Sequence, residues 1–165
     1  MNVSIKTLVI ILLFASLSAC GFQMRGSNLD NLKNSTIFIQ SKSGSELALV
    51  LKKQLAFSDI TVTDSPANAD YIIALVEENY HRDVLSVSSE TGKVEEYELF
   101  SSLLLSITGP EGKKLVNAEP VSARRDYIFD QDTALGKFDE EEKIRQEMDE
   151  QVAATIIRRL RLASQ

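Results

Sequence analysis

Residues 93–108 read K-V-E-E-Y-E-L-F-S-S-L-L-L-S-I-T, a stretch along which two sets of side chains alternate. Successive side chains of a β-strand point to opposite faces of the sheet, so this alternation predicts a long strand. One of the two faces would carry Tyr97, Leu99, Ser101, Leu103, Leu105 and Ile107. The stretch therefore predicts a β-sheet, and the segments on either side of it supply the other strands.

Two further long strands are predicted next to this one. Residues 70–87 begin almost wholly apolar, and S-E-T-G at 89–92 suits the turn of a β-hairpin. After G-P-E-G at 109–112, residues 121–129 alternate again. A shorter β-rich segment lies at 35–41 (S-T-I-F-I-Q-S), so the sheet would have about four strands; Ile60 and Val62 are a candidate for one further short strand.

Two helices are also predicted. Ser43-Gly44-Ser45-Glu46 fits a capping box, because Ser43 and Glu46 are three residues apart ahead of an apolar run. The first helical stripe is Leu47, Val50, Leu51 and Leu55, and the second is Ile144, Met148, Val152, Ile156 and Leu160. The second helix would span about 139–162, with acids at its start and arginines at its end, as the helix dipole favours. The predicted class is α+β: a small mixed, mostly antiparallel sheet with two helices packed on one face.

The first 19 residues are typical of an export signal. Lys6 precedes the apolar run 8–17, which has about 10 residues, whereas a membrane-spanning helix needs roughly 20. Leu17-Ser18-Ala19-Cys20 resembles a bacterial lipobox, in which the cysteine receives a diacylglyceryl group before cleavage. We therefore expect a signal peptide at 1–19 and an S-diacylglycerol and an N-acyl group on Cys20. The alternative is an ordinary signal peptide followed by a chance cysteine.

The remaining chain is predicted to be one acidic domain on a lipid tether. Removing residues 1–19 from the 165 leaves 146 residues, with 17 basic and 24 acidic side chains once Lys6 is gone. We interpret 20–34 as the lipidated cysteine and a linker arm, and 35–165 as a single domain. An excess of acids argues against a nucleic-acid partner, which requires a basic face.

The residues that usually carry catalysis or bind metals are sparse. His81 is the only histidine and Cys20 the only cysteine, and neither stands in a nucleophile or metal-ligand motif. The acids Glu140, Glu141 and Glu142 are typical of a solvated helix start. We therefore expect no enzyme activity, no metal and no cofactor beyond the covalent lipid. A hydrolase that uses unrecognised acids is the weakest alternative.

Several local sequences resemble the LptE family of lipopolysaccharide-assembly lipoproteins. Cys20-Gly21-Phe22-Gln23-Met24-Arg25-Gly26 is similar to the start of mature family members. Further similarities are Glu96-Tyr97, the segment 125–129 leading to Ala134-Leu135-x-Lys137, and Gln146-Glu147-Met148. With the order of predicted elements, the resemblance covers essentially the whole mature chain.

The resemblance implies a non-enzymatic function at the outer membrane. Family members occupy the lumen of the β-barrel LptD, assist its assembly and help lipopolysaccharide reach the outer leaflet. The implied partners are LptD, lipopolysaccharide and, through the lipid anchor, the outer membrane, with the domain facing the periplasm. Gly21, directly after the cysteine, resembles outer-membrane sorting signals. The alternative is a free lipid carrier in the periplasm, which would need an apolar concave face without a helix over it.

Basic side chains are the candidate contacts for the anionic glycolipid. Lys137 matches the family pattern best, and Arg124 and Lys93 are the other candidates. The simpler interpretation of each is a solubilising surface charge. The hairpin turn carries Glu90, which is acidic where a basic side chain would favour lipopolysaccharide.

Overall fold

The computed structural model describes residues 30–129 and 134–165. The predicted signal peptide, Cys20 and most of the linker arm therefore lie outside the described residues. The helices and strands are β1 (Thr36–Gln40), α1 (Glu46–Phe57), β2 (Thr61–Thr63), β3 (Tyr71–Val87), β4 (Val94–Thr108), β5 (Lys114–Ile128) and α2 (Ala134–Ala163).

The strands form one mixed sheet in the order β2-β1-β3-β4-β5. β1 runs parallel to both of its neighbours, whereas the β3–β4 and β4–β5 pairs are antiparallel. The α+β class is confirmed, and the expected count of about four strands is corrected to five. The additional strand is β2, which has only three residues and pairs with β1 through Val62 opposite Ile37.

Both predicted helical stripes face the same side of the sheet and form the core with it. Ile73 lies opposite Ile107 and Leu75 opposite Leu105, and all four side chains are buried. The helices contribute Leu51, Leu55, Met148, Val152, Ile156 and Leu160, each at most 1% exposed. Burying one such side chain contributes about 1.5–3 kcal/mol, so this layer dominates the stability of the domain.

The start of α1 differs from the prediction. Its N-cap is Ser45, whose Oγ accepts a hydrogen bond from the Ala48 N–H at 3.1 Å, so the predicted capping box from Ser43 to Glu46 is wrong. The reason is local, since Gly44 has a left-handed φ of 76° and the helix starts only after that turn.

The start of α2 also differs from the prediction. The helix begins at Ala134, five residues before the predicted 139, so Lys137 lies inside its first turn rather than ahead of it. The first turn contains no acid, because the acids at 139–142 fall one turn later. Gly136 weakens the helical pattern here, since glycine costs about 1 kcal/mol relative to alanine inside a helix. Arg161 does lie in the last turn, as expected.

A β-bulge in β3 changes which side chains face the helices. Val76 pairs with Leu104 and Asn79 with Ser102, so β3 has one residue more than β4 in this interval. Before the bulge the odd-numbered residues of β3 face the helices, and after it the even-numbered ones do. The bulge thereby directs Tyr80 toward α2.

Candidate functional site

The three basic residues predicted to contact glycolipid occupy separate places. Lys137 belongs to the first turn of α2, where the structure describes its backbone but not its side chain. Lys93 is exposed at the end of the β3–β4 turn, where its carbonyl accepts a hydrogen bond from the Ser88 N–H at 2.8 Å. Arg124 projects from the sheet face opposite the helices, so the structure does not bring it together with α2.

Arg124 already has partners on the open face of the sheet. Its Nε lies 3.3 Å from Glu98 Oε1, and its guanidinium lies 5.9 Å from the centre of the Phe100 ring. His81, the only histidine of the sequence, lies against the same ring at 5.0 Å between centroids. Its Nε2 is 3.4 Å from Asp83 Oδ2, so its neighbours are an aromatic ring and an acid.

The surroundings of Arg124 are acidic. Asp83 lies opposite Glu98 on β4, and Glu98 lies opposite Asp126 on β5, so three carboxylates form a row across the open face. This row is two residues along the strands from Arg124, which lies opposite Phe100. A phosphate at Arg124 would therefore meet repulsion from its neighbours. Its role in glycolipid binding stays a prediction.

A cluster centred on Glu141 connects α2 to the sheet. Tyr80 donates a hydrogen bond to Glu141 Oε1 at 3.3 Å, and Tyr127 donates one to Oε2 at 2.8 Å. Arg82 Nη1 donates to Oε2 at 2.7 Å and forms an ion pair with it. Its guanidinium also lies 4.4 Å from the centre of the Tyr97 ring. We call Tyr80, Arg82, Tyr97, Tyr127 and Glu141 the Glu141 cluster.

The electrostatics of the Glu141 cluster keep its tyrosines protonated. Burial, with Glu141 as the second cause, raises the pKa of Tyr80 to about 12. Burial also raises the pKa of Tyr127, and the hydrogen bond to Glu141 adds to that shift. Hydrogen bonding to Tyr127 first, and to Glu141 second, raises the pKa of Arg82. Across the physiological pH range both phenols therefore stay protonated and donate hydrogen bonds, and Arg82 stays charged.

Sequence reasoning did not identify the Glu141 cluster. Its members come from β3, β4, β5 and α2, and Tyr80 and Glu141 are 61 residues apart. Regular alternation along β3 would also have pointed Tyr80 and Arg82 away from the helices, because the bulge is not visible in the pattern. The available signal was the pair Tyr97 and Tyr127, which the predicted strands placed on sheet faces and which stack at 5.8 Å.

A small cleft of mixed polar and apolar lining lies where the start of α1 meets β3 and α2. Ser45 Oγ donates a hydrogen bond to Glu78 Oε2 at 2.7 Å, and Lys42 Nζ donates to the Glu78 carbonyl at 3.2 Å. Asp149 also lines the cleft and is only 8% exposed. The cleft holds about 60 Å³, room for one or two waters, whereas organic ligands occupy roughly 300–1,000 Å³.

The described residues contain neither a metal-binding cluster nor a membrane-spanning helix. Within 30–129 and 134–165, no group of three or more His, Cys, Asp or Glu side chains is arranged to hold a metal ion. Over the same residues, no helix combines the length and apolar character needed to cross a membrane.

Comparison with known proteins identifies the family. Residues 30–160 match the family model described as LptE, lipopolysaccharide-assembly. The chain belongs to the LptE family. The LPS-assembly lipoprotein LptE of Pectobacterium atrosepticum is 28% identical over 156 residues, which cover 93% of this chain and 83% of the relative. The protein of the same name in Photorhabdus laumondii is 29% identical over 160 residues, covering 94% and 85%.

Solved structures share the fold of this LptE-family chain. The crystal structure of rare lipoprotein B from Shewanella oneidensis superposes with a TM-score of 0.65 at 26% identity, covering 76% of this chain and 92% of that one. The solution structure of lipoprotein B from Nitrosomonas europaea has a TM-score of 0.68 at 22% identity and covers 84% and 88%. The second likeness concerns the fold alone.

Membership confirms the resemblance seen in the sequence and gives the function at a coarse level. The chain acts in lipopolysaccharide assembly, and the LptE family is not a known enzyme family. Its curated relatives are lipoproteins by name, which agrees with a membrane-associated lipoprotein.

Proposed function

We propose that this chain is an outer-membrane lipoprotein that occupies the lumen of the β-barrel LptD, promotes its assembly and assists delivery of lipopolysaccharide to the outer leaflet. The observation that carries the proposal is the family match over 30–160, which spans every strand and nearly all of α2. The lipobox at Cys20 supports the location, because it would tether the domain close to the membrane that holds the barrel.

The dimensions of the domain suit a large barrel. β3 has 17 residues and α2 has 30, so they extend about 55 Å and 45 Å at roughly 3.3 and 1.5 Å per residue. An elongated body with helices on one face and strands on the other needs a wide lumen. Barrels of about 22 strands have plugged lumens, whereas those of about eight are filled by their own side chains.

An apolar surface at one end of the sheet supports contact with a partner. Four side chains near the ends of β3 and β5 are about half exposed or more: Val84 at 54%, Leu85 at 48%, Val87 at 54% and Ile128 at 69%. Leu85 lies at a register shift between Val84 and Ser86. Val84 is opposite Tyr97, whereas Ile128 is opposite Glu96 on the other face of the sheet. Exposed apolar side chains on both faces of one sheet end suit contact with a partner that surrounds it, so this end is the proposed contact region.

The role proposed for Lys137 is a contact with a phosphate of lipopolysaccharide. A lysine binds phosphate as a point charge, and the free N–H groups at the start of a helix also favour anions. Lys137 lies in the first turn of α2, so both effects act at the same end of the helix. Lys93, exposed on the hairpin turn, is a second proposed contact.

The carrier alternative has less support from the fold. A carrier needs an apolar concavity, but in the described structure α1 and α2 cover the apolar face of the sheet. The cleft beside Ser45 holds about 60 Å³, far below the volume of a lipid chain binding site.

Depletion of the lipoprotein tests the proposed function in cells. We expect the folded, heat-modifiable form of the LptD barrel to fall and outer-membrane permeability to rise, because an empty barrel assembles poorly. An unrelated outer-membrane barrel provides the control and should keep its level. Unchanged amounts of folded LptD together with normal permeability would contradict the proposal.

A further inference from the structure

Glu141 reaches the sheet through polar contacts before the apolar stripe of α2 begins. Ile144 is only partly buried against the core, and Met148 is the first residue of the stripe to be fully buried. Glu141 lies three residues ahead of Ile144 and has a side chain only 22% exposed. Glu141 therefore attaches this part of the helix to the sheet through hydrogen bonds.

The three hydrogen bonds to Glu141 define both the position and the rotation of the helix. Tyr80 and Arg82 donate from β3, and Tyr127 donates from β5, so the carboxylate bridges two strands that are separated by β4. The Arg82 guanidinium is itself held against Tyr97 on β4. Donors on both sides of one carboxylate oppose sliding and rolling of α2 on the sheet.

Lys137 lies one helical turn before Glu141. Residues four apart occupy the same face of a helix, about 6 Å apart along its axis at 1.5 Å per residue. Gly136, directly before Lys137, weakens the first turn of the helix, since glycine disfavours helix by about 1 kcal/mol. Helix ends fray readily, and the contact at Glu141 lies one turn away, so it should limit fraying of the backbone at Lys137.

We propose that Glu141 is a positioning residue for glycolipid binding: it holds the start of α2 on the sheet so that Lys137 is presented in a fixed place. This inference rests on the proposed role of Lys137. Glu141 itself makes no contact with the ligand, because its carboxylate is occupied by Tyr80, Arg82 and Tyr127.

The test compares Glu141→Gln with Glu142→Gln in the full, detergent-solubilised lipoprotein. Glutamine keeps the size of Glu141 but removes the charge that binds Arg82, while Glu142 is exposed on the same turn and loses the same charge. We expect backbone amides of residues 135–140 to exchange hydrogen several-fold faster in Glu141→Gln. The exchange rates of amides at residues 148–160 should be unchanged in this variant. In Glu142→Gln all amide exchange rates should match those of the parent. Arg82→Gln, which acts from the sheet side, should reproduce the effect.

Binding of purified lipopolysaccharide provides the second readout. One exposed ion pair contributes about 0.2–1 kcal/mol, which corresponds to roughly a 1.4- to 5-fold loss for Lys137→Ala. Glu141→Gln should lose lipopolysaccharide affinity by a similar factor. The double variant, Glu141→Gln with Lys137→Ala, should bind no more weakly than Lys137→Ala alone. The positioning role of Glu141 would be overturned if the affinity losses of the two single variants multiply in the double variant, or if amide exchange at 135–140 is unchanged in Glu141→Gln. Either outcome would leave the ligand role of Lys137 intact. If Lys137→Ala binds as well as the parent, the proposed ligand role fails and the inference fails with it.

Discussion

Arg82 Nη1 on β3 lies 2.7 Å from Glu141 Oε2 on α2, although the two residues are 59 positions apart in the chain. The pair is partly shielded, with side chains 41% and 22% exposed, and Tyr127 donates to the same carboxylate oxygen. Hydrogen bonds to a charged carboxylate are stronger in a partly desolvated site than in water. The contact fixes one end of the longest helix against the longest strand.

Tyr127→Phe should destabilise the domain, because it removes the 2.8 Å hydrogen bond to Glu141 and leaves the ring in place. A hydrogen bond to a charged group contributes about 1.5–3 kcal/mol, and partial exposure places this one near the lower end. Urea unfolding measures the change. Tyr97→Phe is the matched control, since the contacts described for Tyr97 are made by its ring. Equal stability losses in the two variants would contradict the assignment.

Asp149→Asn should stabilise the domain at neutral pH. Burial raises the pKa of Asp149 above its usual 3.8; Arg145 and Lys42 oppose the shift, and Glu46 and Glu78 add to it. The folded state therefore holds this proton more tightly than the unfolded chain does. The contribution of Asp149 to the free energy of unfolding is fully present below about pH 3.8, where its carboxyl is protonated in both states. That contribution is lost as the pH rises through the raised pKa of the folded state.

The pH dependence of unfolding checks the prediction for Asp149. The Asn variant should unfold at higher urea concentration than the parent at pH 7, and the difference should shrink as the pH falls toward 3.8. Glu147→Gln, on the exposed side of the same helix, should show little change. An Asn variant less stable than the parent at pH 7 would indicate that the Asp149 carboxylate is stabilising instead.

Strand alternation and helical spacing predicted most of this fold because they report burial directly. Leu103 and Leu105 on β4 and Met148 on α2 follow regular periods, and each is buried as its pattern required. The pattern failed where the backbone departs from regular geometry. Gly44 moves the cap of α1 to Ser45, and the bulge after Val76 reverses the facing of β3.

The candidate site was less predictable than the fold, because charge partners depend on tertiary contacts. Lys137 was selected by resemblance, and its position in the first turn of α2 emerged only from the structure. Arg124 looked like a free cation in the sequence, yet Glu98 and Phe100 both contact it across the sheet. Glu141 looked like one of several solvated acids at a helix start. The bulge that turns Tyr80 and Arg82 inward gives it two of its three partners, and Tyr127 on β5 is the third.

Lys137→Glu should weaken binding of lipopolysaccharide in a salt-sensitive way while leaving capture by the barrel intact. Reversing the charge replaces attraction to phosphate with repulsion, which salt screens, so the difference should be largest at low ionic strength. Lys143→Glu, an exposed lysine on the same helix, is the control for net charge. Equal binding by Lys137→Glu and the parent at low salt would show that Lys137 is only a surface charge.

Cys20→Ala should abolish lipid attachment and leave the precursor uncleaved by the lipoprotein signal peptidase. Intact mass of the membrane-extracted parent should equal the chain from Cys20 plus a diacylglyceryl group and one amide-linked acyl chain. Two or more acyl chains anchor a protein firmly, whereas one binds reversibly. A parent mass that matches an unmodified Cys20 would refute the lipobox interpretation.

The most direct test of the plug function is the composition of the complex that contains the native lipoprotein. The full-length protein should be purified through a C-terminal tag from mildly detergent-solubilised outer membranes, and its partners identified and quantified by mass spectrometry. The proposed function predicts one large β-barrel, LptD, recovered in an amount close to that of the lipoprotein. Recovery of the lipoprotein alone, or with bound lipid and no barrel, would contradict the plug and favour a free carrier.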